Sequence, residues 1–437
     1  MSRATERLLG AARAKARRLA AAVRDALTSD TPDGAQQRAD ADRAEAEEVI
    51  RTAGRLRGGP AKAAQLRAYL ALDGGLGQDA RTQLASLWDH APPDPPHAIR
   101  AVIEADLGAP PERLFAAWDD APIAAASLGQ VHAARLVDGT EVAVKVQYPG
   151  IGPALLEDLS SRAVLRELVG PGLGEGAAKA ALAALRDAIA REVDYVAELR
   201  WMARFAAAHL GDPAIAIPRA IAERSSVHVL TMTRLPGVPL PRFMADASDA
   251  ERAEAGAAML RFALGSPLRH GIVNGDPHPG NYLVERGPPL RVGFVDFGLA
   301  VELGALADVD RRLLLALVHR DGEALRFAAY EEGLIPRAGV FDRAAWRDFE
   351  RALGAPFLTR GARRFGPPEA AALAGSFSRL VRAGAITLSA EAIVLWRQRI
   401  AFLTVLGALG PTLDLRLALC ELLDDGRHPT PLYERYR

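Results

Sequence analysis

The spacing of apolar residues changes at Pro122. Residues 41–117 carry apolar side chains at helical intervals, interrupted by clusters of glycine and proline. Two β-like runs follow, Ile123–Leu136 and Glu141–Gln147, and they meet at Asp138–Gly139, a residue pair that favours hairpin turns. The pattern therefore predicts a helical extension followed by a small β-containing region.

Helical spacing returns after the hairpin. Residues 154–170 and 177–210 are predicted to be helices, and Val227–Met232 is a short apolar run typical of a strand. From about residue 250 onward helices dominate, interrupted by two short strand candidates, Tyr282–Val284 and Val292–Val295. This order predicts an α+β, two-lobed protein-kinase-like fold with a helical N-terminal extension, in which a nucleotide lies in the cleft between the lobes.

The same pattern divides the chain into four predicted regions. Residues 1–40 are a basic helical arm and linker, 41–117 the helical extension, 118–235 the kinase-like N-lobe and 236–437 the kinase-like helical C-lobe. The arm has a weak apolar side, so peripheral contact with an anionic membrane surface is one interpretation. A solvated helix or an unstructured arm is the other interpretation, and the sequence favours it.

Charge and cysteine content narrow the class of protein. Acidic and basic residues balance at 54 each, which argues against nucleic acid as a partner because nucleic-acid-binding domains usually carry a basic surplus. The single cysteine, Cys420, excludes an internal disulfide and favours a reducing, cytoplasmic setting. No run reaches the ~18 apolar residues of a membrane span, and the best candidate, Arg399–Asp414, is interpreted as a buried helix. We therefore expect no transmembrane helix and leave peripheral membrane attachment open.

Lysine and asparagine are rare in this chain. There are four lysines among 54 basic residues, including Lys62 and Lys145, and the two asparagines are Asn274 and Asn281. Lysine carries a compact point charge, whereas the guanidinium of arginine is broad and planar. In a chain this rich in arginine, a lysine is therefore a candidate for a site that a guanidinium would not fit. An asparagine is neutral and can offer an oxygen to a metal. Both residue types are therefore candidates for function.

The first candidate site is the alanine-rich start of the β region. A kinase phosphate loop reads G-x-G-x-x-G-x-V, since small residues let the backbone approach the phosphates. In the run A-A-A-S-L-G-Q-V, the positions of this pattern are held by Ala124, Ala126, Gly129 and Val131. Alanine carries a Cβ, so we expect a stiffer loop than one of glycines. The residues predicted to bind nucleotide are Ala124, Ala125, Ala126, Ser127, Gly129 and Val131.

The second candidate site is a lysine on the next strand. Val142–Ala143–Val144–Lys145 is close to the kinase V-A-I-K, in which the lysine contacts the α- and β-phosphates. A buried ammonium needs a carboxylate partner, and Glu198 is the predicted one. Both residues are therefore predicted to be catalytic, and Lys145 is also predicted to bind the nucleotide.

The strongest signal lies further along the chain. Asp276 and Asn281 have the D-x-x-x-x-N spacing of a phosphotransfer loop, and Asp296–Phe297–Gly298 begins fifteen residues after Asn281. Mg²⁺ takes hard oxygen ligands, so Asn281 and Asp296 are the predicted metal ligands. Asp276 is predicted to orient or deprotonate the attacking hydroxyl or water. His278 lies between two prolines and is expected to shape the loop. These residues predict ATP and Mg²⁺ as ligands.

Together, the A-A-A-S-L-G-Q-V-H hairpin, the D-P-H-P-G-N loop and the V-D-F-G segment resemble the UbiB/AarF/ADCK family of atypical kinases, over about residues 50–320. The resemblance implies an ATPase or a small-molecule or lipid kinase that supports isoprenoid quinone biosynthesis, often at membranes. It also implies a lid, in which a K-x-G-Q motif folds over the cleft and pairs with the acids of an E-x-D motif. The lid residues implied by the resemblance are Lys62, Gln65, Glu192 and Asp194.

The sequence departs from the pattern of this family at several positions. The glycine of K-x-G-Q is Ala64, and the histidine common ahead of the catalytic loop is Asn274. The asparagine often found after E-x-D is replaced, with Trp201 in that neighbourhood, and Thr233 stands where a glutamate is usual. None of these changes removes a predicted ligand of nucleotide or metal.

Three functions are compatible with these residues. The first is an ATP-dependent phosphotransferase or ATPase that acts on, or is regulated by, a small or lipid molecule. The second is a nucleotide-binding, pseudokinase-type regulator, favoured by the alanines of the phosphate loop and by the Lys62 lid. The third is a small-molecule phosphotransferase of the aminoglycoside or choline type, whose catalytic loop also looks like G-D-x-H-x-G-N. The alanine-rich hairpin and the Lys62–Gln65 motif argue against the third.

Overall fold

The chain forms two units, each with helices and strands. The structure is a computed structural model that describes residues 93–126, 128–153, 193–336, 341–382, 386–424 and 432. Unit 1 comprises Met1–Val193 and Ser226–Val229, and unit 2 comprises Asp194–Ser225 and Leu230–Arg437. The mixture of helices and strands confirms the α+β class. The four predicted regions, with boundaries after residues 40, 117 and 235, stay predictions.

The described part of unit 1 contains two short helices and an antiparallel run of three strands. The predicted turn at Asp138–Gly139 joins the second and third strands, and Gly139 has a φ of 87°. The run Ile123–Leu136 is wrong as a single strand, because the chain reverses between Ala126 and Gly129 and the two halves pair antiparallel. The elements are α1 (Pro96–Leu107), α2 (Pro111–Leu114), β1 (Ala117–Ala126), β2 (Gly129–Arg135) and β3 (Glu141–Gln147).

One face of this sheet is a hydrophobic core. Val142, Val144 and Val146 alternate along β3 and are fully buried, as are Ile99 and Ile103 of α1, which packs on β3. Because successive side chains of a strand point to opposite faces, Lys145 lies on the other face of β3. The core therefore fixes the side of the sheet on which the predicted phosphate-binding lysine stands.

Gly129 begins β2 where the backbones of β2 and β3 come closest. A Cβ at this position would lie 2.0 Å from the carbonyl oxygen of Val146. No side chain can occupy that space, so glycine is required here by strand packing rather than by a positive φ.

Buried polar side chains of β2 form hydrogen bonds with neighbouring segments of the chain. Gln130 Oε1 accepts a hydrogen bond from the Asp94 N–H at 2.9 Å, and Gln130 Nε2 lies 2.9 Å from His132 Nε2. The amide nitrogen can only donate, so the His132 proton is on Nδ1, which lies 2.9 Å from the Asp119 carbonyl oxygen. Burial lowers the pKa of His132, which keeps the ring neutral. Gln130 and His132 therefore have a structural role in β2.

Unit 2 is mainly helical. The prediction of one continuous helix over residues 177–210 is wrong, because Val193 and Asp194 are not helical and the helix here, α3 (Tyr195–Ala208), begins after the N-cap Asp194 and ends before residue 210. Residues 177–192 and the predicted helix over 154–170 lie outside the described residues. The two predicted strands Tyr282–Val284 and Val292–Val295 are confirmed within one residue, as Tyr282–Glu285 and Arg291–Phe294. Its elements are α3 (Tyr195–Ala208), β4 (Ile215–Ala216), β5 (Val229–Thr233, whose first residue belongs to unit 1), β6 (Val238–Pro239), α4 (Leu240–Asp246), α5 (Asp249–His270), β7 (Ile272–Asn274), β8 (Tyr282–Glu285), β9 (Arg291–Phe294), β10 (Ala300–Glu302), α6 (Leu306–His319), α7 (Gly322–Glu332), α8 (Arg343–Leu358), β11 (Arg363–Arg364), α9 (Pro367–Arg382), α10 (Ala390–Leu409), β12 (Thr412–Leu413) and α11 (Leu415–Leu423).

Short strands of unit 2 form one small sheet and two separate pairs. The sheet has the order β4-β9-β8-β6, with β4 and β9 parallel and the other neighbours antiparallel. The pairs are β7 with β10 and β11 with β12. A buried cluster of Val273, Leu303 and Leu395 anchors the β7–β10 pair to α10.

Polar side chains mark the ends of the helices. Ser248 and Glu251 form a capping box at the start of α5. Arginines bind backbone oxygens elsewhere: Arg252 donates to the last residue of α10, Leu409, at 2.7 Å, and Arg269 donates to Glu421 of α11 at 2.7 Å. The arginines of this chain are thus used in part to satisfy carbonyl groups at helix C-termini.

α10 lies in the core of unit 2. The helix predicted between Arg399 and Asp414 instead begins at Ala390 and ends at Leu409, where Gly410 has a φ of 65°, and residues 411–414 lie beyond its end. Among the described helices it alone has the length and composition of a membrane span, and 61% of its most apolar window is buried inside the protein. Trp396 of this helix packs against Phe349 and Phe377, with ring centroids 5.3 and 5.6 Å away.

Three ionisable side chains are buried beside Trp396. Arg399 Nη2 donates to Asp310 Oδ2 at 2.8 Å, and both side chains are 1% exposed. Glu332 Oε1 accepts from Trp396 Nε1 at 2.8 Å. One guanidinium faces two buried carboxylates, which favours protonation of one of the acids. Burial, followed by the charge of Asp310, raises the pKa of Glu332 to about 8, which makes Glu332 the protonated acid at neutral pH.

Replacing Glu332 with glutamine is expected to make the protein more stable at alkaline pH. A carboxyl whose pKa is raised on folding contributes stability below its unfolded pKa of 4.5 and loses it as the pH rises through about 8. Glutamine keeps the acceptor for Trp396 and does not ionise. We expect a gain in free energy of unfolding of about 1–3 kcal/mol at pH 8.5 and almost none at pH 5. Urea unfolding at the two pH values tests this, and an equal effect at both would contradict it.

Candidate active site

Two strand pairs bring the predicted catalytic loop and the Asp-Phe-Gly segment together. β7 precedes the catalytic loop and pairs with β10, which follows Asp-Phe-Gly. β8 follows the catalytic loop and pairs with β9, which precedes Asp-Phe-Gly. Each loop is therefore held at both ends by the same neighbours, and backbone bonds from Gly275 to Leu299 (3.2 Å) and from Val295 to Asn281 (3.2 Å) extend this contact into the loops.

Asn281 is oriented by Asp276. Its amide nitrogen Nδ2 donates to Asp276 Oδ2 at 3.0 Å and to the Asp276 carbonyl oxygen at 3.3 Å. Because the amide nitrogen donates to Asp276, the carbonyl oxygen Oδ1 is the atom with which Asn281 can bind a metal. The orientation fits the predicted role of Asn281 as an oxygen ligand of Mg²⁺.

Asp296 and Phe297 are held by hydrogen bonds on both sides. Asp296 Oδ1 accepts from the Gly298 N–H at 3.1 Å. The Phe297 N–H donates to Glu198 Oε1 at 3.2 Å, and the Phe297 ring packs on Phe205 with centroids 5.1 Å apart. Glu198, 1% exposed and in the first turn of α3, thus fixes the backbone next to the predicted metal ligand. This contact was not predicted, and the pairing of Glu198 with Lys145 stays a prediction.

Asn274 contacts both loops of the site, although the sequence marked it only by its rarity and by its departure from a family pattern and gave it no role. Its Nδ2 donates to the Asp296 carbonyl oxygen at 2.8 Å, and its Oδ1 accepts from the Asp276 N–H at 3.2 Å. The side chain is buried. Its rarity is the signal that was available, because it is one of two asparagines in the chain and the other is Asn281.

His278 shapes the catalytic loop as expected. Its Nδ1 accepts from the Gly280 N–H at 3.1 Å and caps the single helical turn Pro279–Asn281. Tyr282, the next residue, is buried, and burial and then the charge of Asp276 raise its pKa well above the ordinary value. The tyrosine is therefore a neutral phenol beside the loop.

In unit 1, three of the predicted nucleotide-binding residues form a row across the strands. Ala124 is opposite Val131, and Val131 is opposite Lys145. Residues directly opposite each other in a sheet share a face, so Ala124, Val131 and Lys145 lie on the same side. Ala124, Ala125 and Ala126 are the last residues of β1, and Gly129 is the first of β2. The site roles of these residues stay predictions.

Several predicted site residues fall elsewhere. Ser127, Lys62, Gln65 and Glu192 lie outside the described residues. Asp194 is the N-cap of α3, and its Oδ1 accepts from the N–H groups of Val196 and Ala197. Its implied pairing with the Lys62 lid stays a prediction.

The donor set suits a magnesium–nucleotide complex. The carboxylate of Asp296 and the amide oxygen of Asn281 are hard ligands, and Mg²⁺ in nucleotide sites usually takes only a few protein ligands together with phosphate oxygens and water. In the described part of the chain there is no group of three or more His, Cys, Asp or Glu residues that could hold a metal. A metal at these loops would therefore depend on the phosphates of a bound nucleotide to complete its coordination.

The chain is similar in sequence to proteins of a known family. A family model described as the ABC1 atypical kinase-like domain matches residues 86–328. The chain is 33% identical over 276 residues to the chloroplastic protein ACTIVITY OF BC1 COMPLEX KINASE 8 of Arabidopsis thaliana, covering 60% of this chain and 36% of the relative. It is 30% identical over 286 residues to the probable protein kinase UbiB of Marinobacter nauticus, covering 62% of this chain and 51% of the relative. The match thus spans about half or less of the length of these curated relatives.

A solved structure has the same fold. The structure of Rv3197 from Mycobacterium tuberculosis, determined in complex with erythromycin, covers 90% of this chain and 99% of its own, with a TM-score of 0.63 and 23% identity. With the family model, this likeness confirms the predicted kinase-like fold.

Proposed function

Because the chain belongs to the ABC1 atypical kinase-like family, we propose that it binds ATP with Mg²⁺ and transfers the γ-phosphoryl group to a small or lipid molecule or to water. The observation that carries the proposal is that Asn281 binds the carboxylate of Asp276, and that Asn274 joins the peptide groups of Asp276 and Asp296 on two neighbouring loops. Phosphoryl transfer needs ligands for a metal ion and a group that orients the nucleophile. One acid and the amide can bind the metal, and the second acid can orient the nucleophile.

Each residue has one role in the proposed reaction. Asp296 and Asn281 would hold Mg²⁺, which when bound offsets the negative charge of the phosphates. Asp276 would orient the attacking hydroxyl or water and accept its proton. Lys145 would contact the α- and β-phosphates. Glu198, by its bond to the Phe297 N–H, would keep the Asp296 backbone in place.

We further propose a substrate or activator related to isoprenoid quinones. Support comes from the resemblance of the hairpin and loop motifs to the UbiB/AarF/ADCK family and from the similarity to a protein named UbiB. This similarity suggests a phenolic or lipid acceptor, which the protein would reach through peripheral contact with a membrane surface.

A regulator that binds nucleotide without turnover is the second candidate. The observation that favours it is the position of Ala124 and Ala126 inside β1, where both residues are paired with β2 and carry a Cβ that glycine lacks. A loop built from strand residues adapts less to the phosphates, which would favour slow chemistry.

Nucleotide titration of the full chain tests both candidates. We expect saturable binding of ATP that requires Mg²⁺, measured by calorimetry, and hydrolysis or phosphoryl transfer that increases with phenolic quinone precursors or phosphatidylglycerol vesicles. Tight binding with no turnover under any of these conditions would favour the regulator. Absence of Mg²⁺-dependent nucleotide binding would overturn the proposed function.

A further inference from the structure

The side chain of Asn274 connects the two loops of the candidate site. It is buried, and both of its polar atoms are used on backbone groups. Nδ2 donates to the carbonyl oxygen of Asp296 at 2.8 Å, and Oδ1 accepts from the N–H of Asp276 at 3.2 Å. A carbonyl oxygen needs a donor and an N–H needs an acceptor, so only one orientation of the amide satisfies both.

Few side chains could make this connection. An aspartate has the same shape, but its carboxylate only accepts and would face the Asp296 carbonyl oxygen with no donor. An alanine would leave the Asp276 N–H and the Asp296 carbonyl without their partner. The carboxamide is neutral and has a donor and an acceptor on adjacent atoms, which matches the two groups it joins.

The fold near Asn274 does not depend on this side chain alone. Backbone pairing of β7 with β10 holds residues 272–274 against 300–302, and the Gly275 N–H donates to Leu299. Asn281 separately holds the carboxylate of Asp276. What Asn274 adds is a direct connection between the peptide groups of Asp276 and Asp296 themselves.

We propose that Asn274 is a positioning residue that sets the placement of Asp276 relative to the metal held by Asp296. This inference rests on the proposed function, in which Asp276 orients the nucleophile and Asp296 binds Mg²⁺. Phosphoryl transfer depends strongly on the placement of the nucleophile, and misplacement by about 1 Å can cost about 100-fold in rate. ATP itself would still bind through groups that Asn274 does not touch, such as Lys145.

The test compares Asn274→Ala and Asn274→Asp with the parent chain. We expect kcat for ATP hydrolysis or phosphoryl transfer to fall by about 10- to 100-fold, KM for ATP to change by less than about 3-fold, and the Mg²⁺ concentration for half-maximal rate to rise. A residue with only a structural role would lower the folded fraction and leave kcat per folded molecule and the Mg²⁺ requirement unchanged.

Gln398→Ala is the matched control. Gln398 is a buried carboxamide of α10 whose Nε2 donates to the Ala263 carbonyl oxygen at 3.2 Å. Its loss should reduce stability and leave kcat per folded molecule unchanged. If the parent turns over ATP and Asn274→Ala retains its kcat and Mg²⁺ requirement, the inference fails and the proposed function stands. If the parent binds MgATP without turnover, an unchanged Mg²⁺ dependence of binding in Asn274→Ala overturns the inference; if the parent does not bind MgATP, both fail.

Discussion

Replacing Asp296 with asparagine is expected to abolish the Mg²⁺-dependent stabilisation of the protein by ATP. The amide has the size of the carboxylate and can still accept from the Gly298 N–H, so the loop should keep its conformation. It lacks the negative charge that the Asp296 carboxylate would bring to a divalent cation, and the other proposed ligand, Asn281, is neutral. We expect the affinity for MgATP to fall by roughly 100-fold or more.

Thermal unfolding with and without MgATP measures this effect. At a ligand concentration 100 times the dissociation constant, the parent gains about 2.7 kcal/mol, whereas a variant with 100-fold weaker binding gains about 0.4 kcal/mol. The transition of the ligand-free variant should stay close to that of the parent. Asp308→Asn, at an exposed aspartate in the first turn of α6, is the matched control and should respond to MgATP as the parent does. An undiminished shift in Asp296→Asn would remove Asp296 from the metal site.

The candidate site was visible in the sequence because its residues are close in sequence to strands of strong apolar character. Tyr282–Val284 and Val292–Val295 were predicted as strands, and their pairing as β8 and β9 joins the catalytic loop to Asp-Phe-Gly. Motif spacing then identified the polar residues that these strands bring together. Local pattern was sufficient here because each loop is short and is held at its ends.

The hydrogen bonds between these residues were not predictable in the same way. Asn274 contacts Asp296 across 22 positions of sequence and Glu198 contacts Phe297 across 99. Such contacts depend on which strands and helices become neighbours, and the periodicity of a single element carries no information on that. The same limit explains why Ile123–Leu136 is wrong as a single strand. Apolar and small residues continue through the point where the chain reverses direction, and only the pairing of β1 with β2 shows that reversal.

The buried ion pair of unit 2 was missed for a related reason. α10 is apolar on all sides, so its pattern predicts burial without identifying a face. Asp310 and Arg399 are 89 positions apart, and a charged residue within such a helix is usually expected at a surface. Only the packing of α6 and α10 in the same unit brings the two charges together.

Replacing Arg399 with methionine is expected to destabilise the protein by about 3–5 kcal/mol, because removing one partner of a buried ion pair leaves an uncompensated charge. Arg399 is 1% exposed, contacts Asp310 at 2.8 Å and stacks over Trp396 at 4.8 Å. Methionine keeps much of the apolar contact with Trp396, so most of the loss should come from Asp310. The midpoint of urea unfolding, measured at pH 7, gives the magnitude.

The double variant Asp310→Leu/Arg399→Met separates charge from packing. Replacing both partners with apolar residues of similar volume is often neutral or stabilising, so the double variant should recover most of the stability that Arg399→Met loses. Arg351→Met is the control, since Arg351 is 78% exposed and its bond to Asp348 should contribute less than about 1 kcal/mol. Two outcomes would contradict this: Arg399→Met could destabilise the protein no more than the control does, or the double variant could be less stable than either single variant. In either case, loss of Arg399 would not leave a costly charge on Asp310. The bond of Arg399 to Asp310 would then be an incidental contact within a core held by Trp396, Phe349 and Phe377.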